Sequence, residues 1–271
     1  MSNKFFGTGV ALVTPFKTDL SIDHDALTNI VNFNIENGID YLVICGTTGE
    51  SITITKQEKE SVVKTISKAN NGRVPMVLGI GSNNTAAVIE EINETDLSTM
   101  DAILSVSPYY SKPTQEGIYQ HFKAIAEACP IDIILYNVPG RTSKNMEPDT
   151  TLRLAKDFNN IIAVKEAGNK TSQYLQLLKN KPEDFLIISG DDDLALGMVL
   201  AGGAGVISVI GQAFPKAFSS MIRLGLDGNA KASYAIHFEL MDIVNILITV
   251  VTVGVVSSYF PVKYLVKRLE V

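Results

Sequence analysis

Eight short apolar runs separated by helix-patterned segments constrain this chain more than any other feature. The runs cover residues 9–13, 41–45, 76–80, 102–106, 131–136, 161–164, 185–189 and 205–209. Each reads as a strand buried on both faces, since none shows the polar–apolar alternation of a half-exposed sheet. Residues 23–37, 56–69, 85–93, 114–129, 148–158, 171–179 and 192–201 lie between them and predict crossover helices. Ser21 or Asp23 offers a start signal for the first helix, and Pro148 opens the fifth. Such alternation predicts a parallel sheet with helices outside. Eight units in 271 residues predict an α/β fold closed as a (β/α)8 TIM barrel. A doubly wound open sheet is the weaker alternative, because no Gly-x-Gly-x-x-Gly fingerprint follows the first strand.

The expected organisation is a catalytic barrel over residues 1–212 and a C-terminal helical region over 213–271, atypical after about 243. Residues 214–226 and 231–241 predict two surface helices appended to the barrel. Residues 243–262 then carry no formal charge, which reaches the length of about 20 apolar residues that a membrane span needs. Asn245, Gly254, Pro261 and several hydroxyl residues interrupt the stretch. A buried segment contacting another subunit is the preferred reading, then a sequence artefact, then a span.

Composition excludes several function classes. A net charge of −6 argues against general nucleic-acid binding. Two cysteines, Cys45 and Cys129, supply no disulfide framework and fit a reducing compartment. The opening residues Met-Ser-Asn-Lys-Phe-Phe-Gly-Thr show no secretory pattern, so a cytoplasmic protein free of the membrane is expected.

In a barrel of this kind chemistry sits at the C-terminal ends of the strands. Those ends carry Thr14-Pro15, Cys45-Gly-Thr-Thr-Gly-Glu-Ser51, Gly79-Ile-Gly-Ser-Asn83 and Ser107-Pro-Tyr-Tyr110. The later ends carry Tyr136-Asn-Val-Pro-Gly-Arg-Thr142, Lys165, Ser189-Gly-Asp-Asp192 and Ile207-Ser208. Lys165 ends an apolar run, and a lysine removed from water supplies the neutral amine that a Schiff-base nucleophile needs. The alternative is a lysine that snorkels to solvent or pairs with Glu166. Tyr136 is placed to shuttle a proton and Thr47 to relay one. The Thr47–Thr48 turn can aim N–H groups at a carboxylate, and Arg141 can grip a second one bidentately. Each has a plainer reading: a core tyrosine, a tight turn, a solvent-facing arginine. Asp191 to Asp193 read as a helix N-cap run rather than a metal site. The histidines at 24, 121 and 237 stand apart from the strand ends, so no metal and no cofactor is expected. Only the conjunction favours an active site.

Gly46-Thr-Thr-Gly-Glu-Ser51, Ser107-Pro-Tyr-Tyr110, Tyr136-Asn-Val-Pro-Gly-Arg-Thr142, Val164-Lys-Glu-Ala167 and Ser189-Gly-Asp-Asp192, with a nearly continuous stretch from Tyr109 to Ala126, resemble the dihydrodipicolinate synthase family of the N-acetylneuraminate lyase superfamily over residues 7–241. The resemblance implies a lyase that condenses pyruvate with aspartate 4-semialdehyde in lysine and diaminopimelate biosynthesis. It implies Lys165 as the Schiff-base residue and Tyr136 as proton donor and acceptor. Thr47 and Tyr110, the latter supplied by a neighbouring subunit, would complete the relay. Thr48 and Ile207 would bind pyruvate, Arg141 the semialdehyde carboxylate, and Gly190 would be a further substrate-binding position. The family assembly implied is a homotetramer built as a dimer of dimers. Arg141 weighs against a sugar-acid aldolase, the nearest rival; a barrel inactivated by its altered tail is the other. Lys56 and Lys59 stand where the family often has histidine, and Ala87 where it has an acid, so weak or absent lysine inhibition is expected. The tail after Met241 departs from the family pattern, as a frameshift near Asn245 would produce.

Overall fold

The computed structural model of the protein describes residues 4–252. Eight parallel strands close into a barrel in sequential order, with β1 pairing both β2 and β8. The strands are β1 (Gly7–Ala11), β2 (Tyr41–Ile44), β3 (Met76–Gly79), β4 (Ala102–Val106), β5 (Asp132–Asn137), β6 (Ile161–Glu166), β7 (Leu186–Ser189) and β8 (Gly205–Ser208). Helices α1 (His24–Glu36), α2 (Lys56–Asn70), α3 (Thr85–Glu94), α4 (Gln115–Ala128), α6 (Pro148–Asp157), α7 (Thr171–Asn180) and α8 (Ala195–Leu200) occupy the seven expected crossovers. A one-turn helix, α5 (Pro139–Thr142), precedes α6, and α9 (Pro215–Leu226) and α10 (Ala230–Thr252) follow the last strand.

Local chemistry explains where the helices begin. Asp23 accepts from Ala26 N at the start of α1. Thr55 and Glu58 form a reciprocal capping box on α2, satisfying two backbone N–H groups that would otherwise lack partners. Asn84 and Thr114 cap α3 and α4 one way, their side chains accepting from Ala86 N and Ala87 N and from Gly117 N.

Strand alternation sorts the core into two shells. Ala11, Tyr41, Val77, Leu104, Tyr136, Ala163, Ile188 and Ile207, one from each strand, belong to a single buried cluster that fills the barrel. Val10, Leu42, Leu78, Ile103, Leu135, Val164 and Ile187 face outward and pack beneath the helices. The side chain at each strand end is therefore fixed by parity, and a one-residue slip in register would exchange the inner and outer sets.

Three features depart from expectation. α9 is no surface appendage, since Phe218, Met221 and Ile222 are fully buried with Val206 and Leu196 in a third apolar cluster. It covers β8 and β1 as the barrel's eighth helix, so the expected boundary at 212 separates the last strand from the helix that covers it. α8 begins at Ala195, three residues later than expected, with Leu194 at its cap position and no side-chain cap. The second C-terminal helix runs beyond 241 to Thr252, because Val244 and Leu240 bury into the same cluster as α9. The part of the uncharged 243–262 stretch after 252 lies outside the described residues. Among the described residues no helix is long and apolar enough to cross a membrane.

Candidate active site

Tyr136 and Lys165 are register partners on β5 and β6, and parity turns both into the barrel. They stand next to the strand ends, so they reach its mouth rather than its centre. Lys165 is 5% exposed and Tyr136 8% exposed. The lysine Nζ lies 4.5 Å from the centroid of the tyrosine ring. The possible Lys165–Glu166 pair does not form, because successive strand residues face opposite ways and Glu166 points outward. Gly190, at the end of β7, leaves space for the lysine stem. A Cβ there would lie 3.0 Å from Lys165 Cε and 2.7 Å from Ala167 Cβ. The glycine N–H also donates to Glu166 O at 2.6 Å, tying the β7 end to β6.

The β2 loop rises over the mouth as a compact turn. Gly49 N donates to Gly46 O and Glu50 N to Thr47 O, both at 3.1 Å. Cys45 and Glu50 bracket it in the left-handed region, at φ 52° and 55°. Thr14 Oγ1 anchors it from the end of β1 through Gly49 O at 2.7 Å. Gly79 is explained by close packing, since a Cβ would lie 2.3 Å from Cys45 O. Thr47 is exposed and Thr48 half-buried on this turn. Ile207 is fully buried inside β8. Arg141 is exposed on α5, above the end of β5. Tyr110 is 88% exposed and adopts φ 70°, a conformation that a bulky residue rarely takes. Thus Lys165, Tyr136 and Gly190 form one contact group, and Ile207 shares their barrel interior. Thr47, Thr48 and Arg141 stand on loops at the same end, while Tyr110 faces solvent.

Burial shifts several carboxyl groups around this mouth. Asp191 is pushed up to about 6 by burial and by the neighbouring Asp193, against the pull of the Asn169 N–H and of Lys165. Glu166 is raised to about 7 by burial, opposed by donors from Asn137, Gln173 and Gly168. The acidic run does not cap α8 as expected. Asp192 Oδ2 instead accepts from Val209 N at 3.1 Å and Ile210 N at 3.0 Å. The chain leaves β8 into a 3-10 turn at Ile210–Gln212, whose early N–H groups need an acceptor, and Asp192 supplies it. Cys45 is buried and its thiol is raised to about 11, which removes it as a nucleophile at neutral pH. Among the described residues no cluster of His, Cys, Asp and Glu could hold a metal ion.

Sequence reasoning missed Asn137, Asn145, Gln173 and Glu166, whose side chains form one buried polar cluster directly behind the Tyr136–Lys165 pair. The available signal was the polar pair Asn137 and Glu166, which stand one and two residues after the apolar runs 131–136 and 161–164 and end their strands.

Comparison with known proteins identifies the family. The model of the dihydrodipicolinate synthetase family matches residues 4–271. A 4-hydroxy-tetrahydrodipicolinate synthase from Flavobacterium psychrophilum is 59% identical over 243 residues, covering 90% of this chain and 83% of the relative. One from Phocaeicola vulgatus is 50% identical over 241 residues, covering 89% and 81%. A crystal structure of the chloride-inhibited dihydrodipicolinate synthase from Acinetobacter baumannii complexed with pyruvate superposes with a TM-score of 0.89 at 37% identity, covering 96% of this chain and 87% of that one. The enzyme from Cyanidioschyzon merolae with lysine bound gives a TM-score of 0.91 at 36% identity, covering 99% and 89%. On the family match over residues 4–271 and a relative at 59% identity, the chain belongs to the dihydrodipicolinate synthetase family.

Proposed function

We infer that the protein is a lyase condensing pyruvate with L-aspartate 4-semialdehyde to 4-hydroxy-tetrahydrodipicolinate, a step of lysine and diaminopimelate biosynthesis. The observation that carries this reading is the buried Lys165 amine, 4.5 Å over the Tyr136 ring at the barrel mouth, in a chain 59% identical to a synthase of that name.

The chemistry assigned to these residues balances without a metal or organic cofactor. Lys165 Nζ adds to the ketone carbon of pyruvate, and loss of water leaves an iminium. The iminium draws electrons from the neighbouring methyl group, which gives a proton to Tyr136 and becomes an enamine carbon. That carbon attacks the aldehyde of the semialdehyde, and the new alkoxide takes a proton back through the hydroxyl relay. The semialdehyde's own amino group then adds to the iminium carbon. This closes the ring, expels Lys165 Nζ as a free amine, and gives one water as the net by-product.

Thr47 and the Tyr110 of a neighbouring copy serve as the relay in this reading. Thr48 and Ile207 hold pyruvate, Arg141 holds the second carboxylate, and Gly190 lines the substrate site beside Lys165. The support for the Tyr110 assignment is its exposure of 88% in one chain. A large aromatic side chain turned outward at φ 70° fits insertion into another copy, within a dimer of dimers. One structural relative is a monomeric variant, so assembly is a property to measure. Catalysis is assigned to the barrel at 1–212 together with α9, which walls it, the remainder of 213–271 is a C-terminal helical region, and the protein is assigned to the cytoplasm.

Weak lysine inhibition rests on a different footing from charge counting. Lys59 Nζ bonds Glu91 Oε1 at 2.5 Å and Gly79 O at 2.8 Å, and Lys56 Nζ bonds Glu94 Oε2 at 2.5 Å. These lysines are ion-paired, so they repel little; instead, Lys59 already fills acceptors that an incoming ammonium would use.

Offering either pyruvate with aspartate semialdehyde, or N-acetylneuraminate alone, separates the readings. Condensation with the semialdehyde is expected. Cleavage of the sugar acid without that condensation would overturn the assignment.

A further inference from the structure

The residues directly behind the catalytic pair carry polar groups for which the condensation has no use. Asn137 and Glu166 are register partners one step beyond Tyr136 and Lys165, and parity turns both outward, where each is fully buried. The Glu166 carboxyl group accepts from Asn137 Nδ2 at 2.9 and 3.0 Å and from Gln173 Nε2, on α7, at 2.9 Å. Among the described residues no lysine or arginine forms an ion pair with it. Burying a carboxyl group with only neutral donors is unfavourable compared with an apolar contact, so its hydrogen bonds have to fix a geometry to be worth having.

What they fix is the segment that bears Arg141. Asn137 Nδ2 also donates to Asn145 Oδ1 at 2.9 Å, and Asn137 Oδ1 accepts from Met146 N at 2.9 Å. Asn145 Nδ2 donates to Gln173 Oε1 at 2.9 Å, and Gln173 Nε2 reaches Met146 O at 3.2 Å. The chain from 138 to 146 is therefore an arch with both feet held by one cluster. Within it, Thr142 Oγ1 donates to Lys144 O at 2.8 Å, and Ser143 at φ 56° turns the chain back after α5. The arch has little internal freedom, and its feet set where Arg141 stands.

We propose that Glu166, Asn137, Gln173 and Asn145 are positioning residues that hold the 138–146 arch so that Arg141 meets the carboxylate of the second substrate. The proposal rests on the reading of Arg141 given above.

Steady-state kinetics of Asn145→Ala and Gln173→Met, beside Arg141→Ala and the double variant Asn145→Ala/Arg141→Ala, test it. Asn145→Ala should raise KM for aspartate semialdehyde about tenfold, given that misplacement by about 1 Å can cost ~100-fold. The rate of pyruvate-adduct formation, trapped by borohydride, should stay within about twofold of the parent. Because Asn145 acts through Arg141, the double variant should be no weaker than Arg141→Ala alone, a non-additivity that general destabilisation would not produce. Asn160→Ala, which removes side-chain bonds to Ala126 O and Cys129 O at the opposite, N-terminal end of the strands, controls for lost stability. Equal losses on both substrates, or additive losses in the double variant, would overturn the proposal. So would failure of both single variants to fold by circular dichroism, since the cluster would then be merely structural. If the parent protein itself does not use the semialdehyde, the activity reading falls and takes this proposal with it. If the parent turns over and the variants keep its KM, the proposal falls alone.

Discussion

Gly190→Ala tests how tightly the barrel mouth holds its lysine. The added methyl would lie 2.7 Å from Ala167 Cβ, 3.0 Å from Lys165 Cε and 3.1 Å from Glu166 O. Carbon atoms separate comfortably at about 3.5–4.0 Å, so relief of the two carbon contacts needs shifts of roughly 0.5–1 Å. The Ala167 methyl and the Glu166 carbonyl belong to β6 and its exit, and the carbonyl is held by Gly190 N and by the Tyr174 hydroxyl. The flexible lysine stem therefore takes up most of the movement. Overpacking of this kind costs about 1–3 kcal/mol of stability, while a nucleophile displaced by about 1 Å loses on the order of 100-fold in rate. Urea unfolding would measure the first effect, and borohydride trapping of the pyruvate adduct against time would measure the second. A folded Gly190→Ala protein that forms adduct as fast as the parent would refute the reasoning, because the stem would then have room that the geometry denies it.

Other expectations concern pH, the second substrate and an effector. His121 is 4% exposed between α3 and α4, with Thr85 Oγ1 on its Nδ1 at 2.8 Å, and burial lowers it from 6.5 to about 4. The unfolded chain takes up a proton below 6.5 that the folded chain refuses until about 4, so this ring withdraws stability as pH falls through that window, up to about 3 kcal/mol at 1.36 kcal/mol per unit. Glu166 acts with the opposite sign, since its folded form holds a proton up to about 7, so its contribution weakens as pH rises from 4.5 to about 7. Comparing urea midpoints of the parent and His121→Gln at pH 7.5 and pH 5 cancels the glutamate contribution; a parent with no steeper acid loss than the variant would contradict the assignment. Arg141→Ala should raise KM for the semialdehyde about tenfold while pyruvate-adduct formation is unchanged, and an equal loss for pyruvate alone would count against the assigned role. L-Lysine at low millimolar concentration should leave the rate unchanged, and inhibition there would show that Lys59 yields its place.

The barrel was readable from the chain because its signal is local. Each strand lies within two residues of its apolar run, since a strand buried on both faces has no polar position to blur its ends. The pairing of Tyr136 with Lys165 followed from the same parity. Features that depend on what the fold brings together were not readable. Asp192 caps a turn after β8 rather than its own helix, because free N–H groups arrive there from a segment 17 residues away. α9 became a barrel wall because β1 and β8 close beneath it, which no local pattern announces. The amide cluster behind the lysine joins β5, β6, the arch and α7. Its members look like ordinary polar residues until the register places them side by side.

Mass spectrometry after borohydride reduction in the presence of pyruvate tests the central claim most directly. The account predicts one added pyruvyl group per chain, located on the peptide that contains Lys165 and absent from Lys165→Ala. The same mass on another side chain, or no added mass in a protein that still condenses the two substrates, would contradict it.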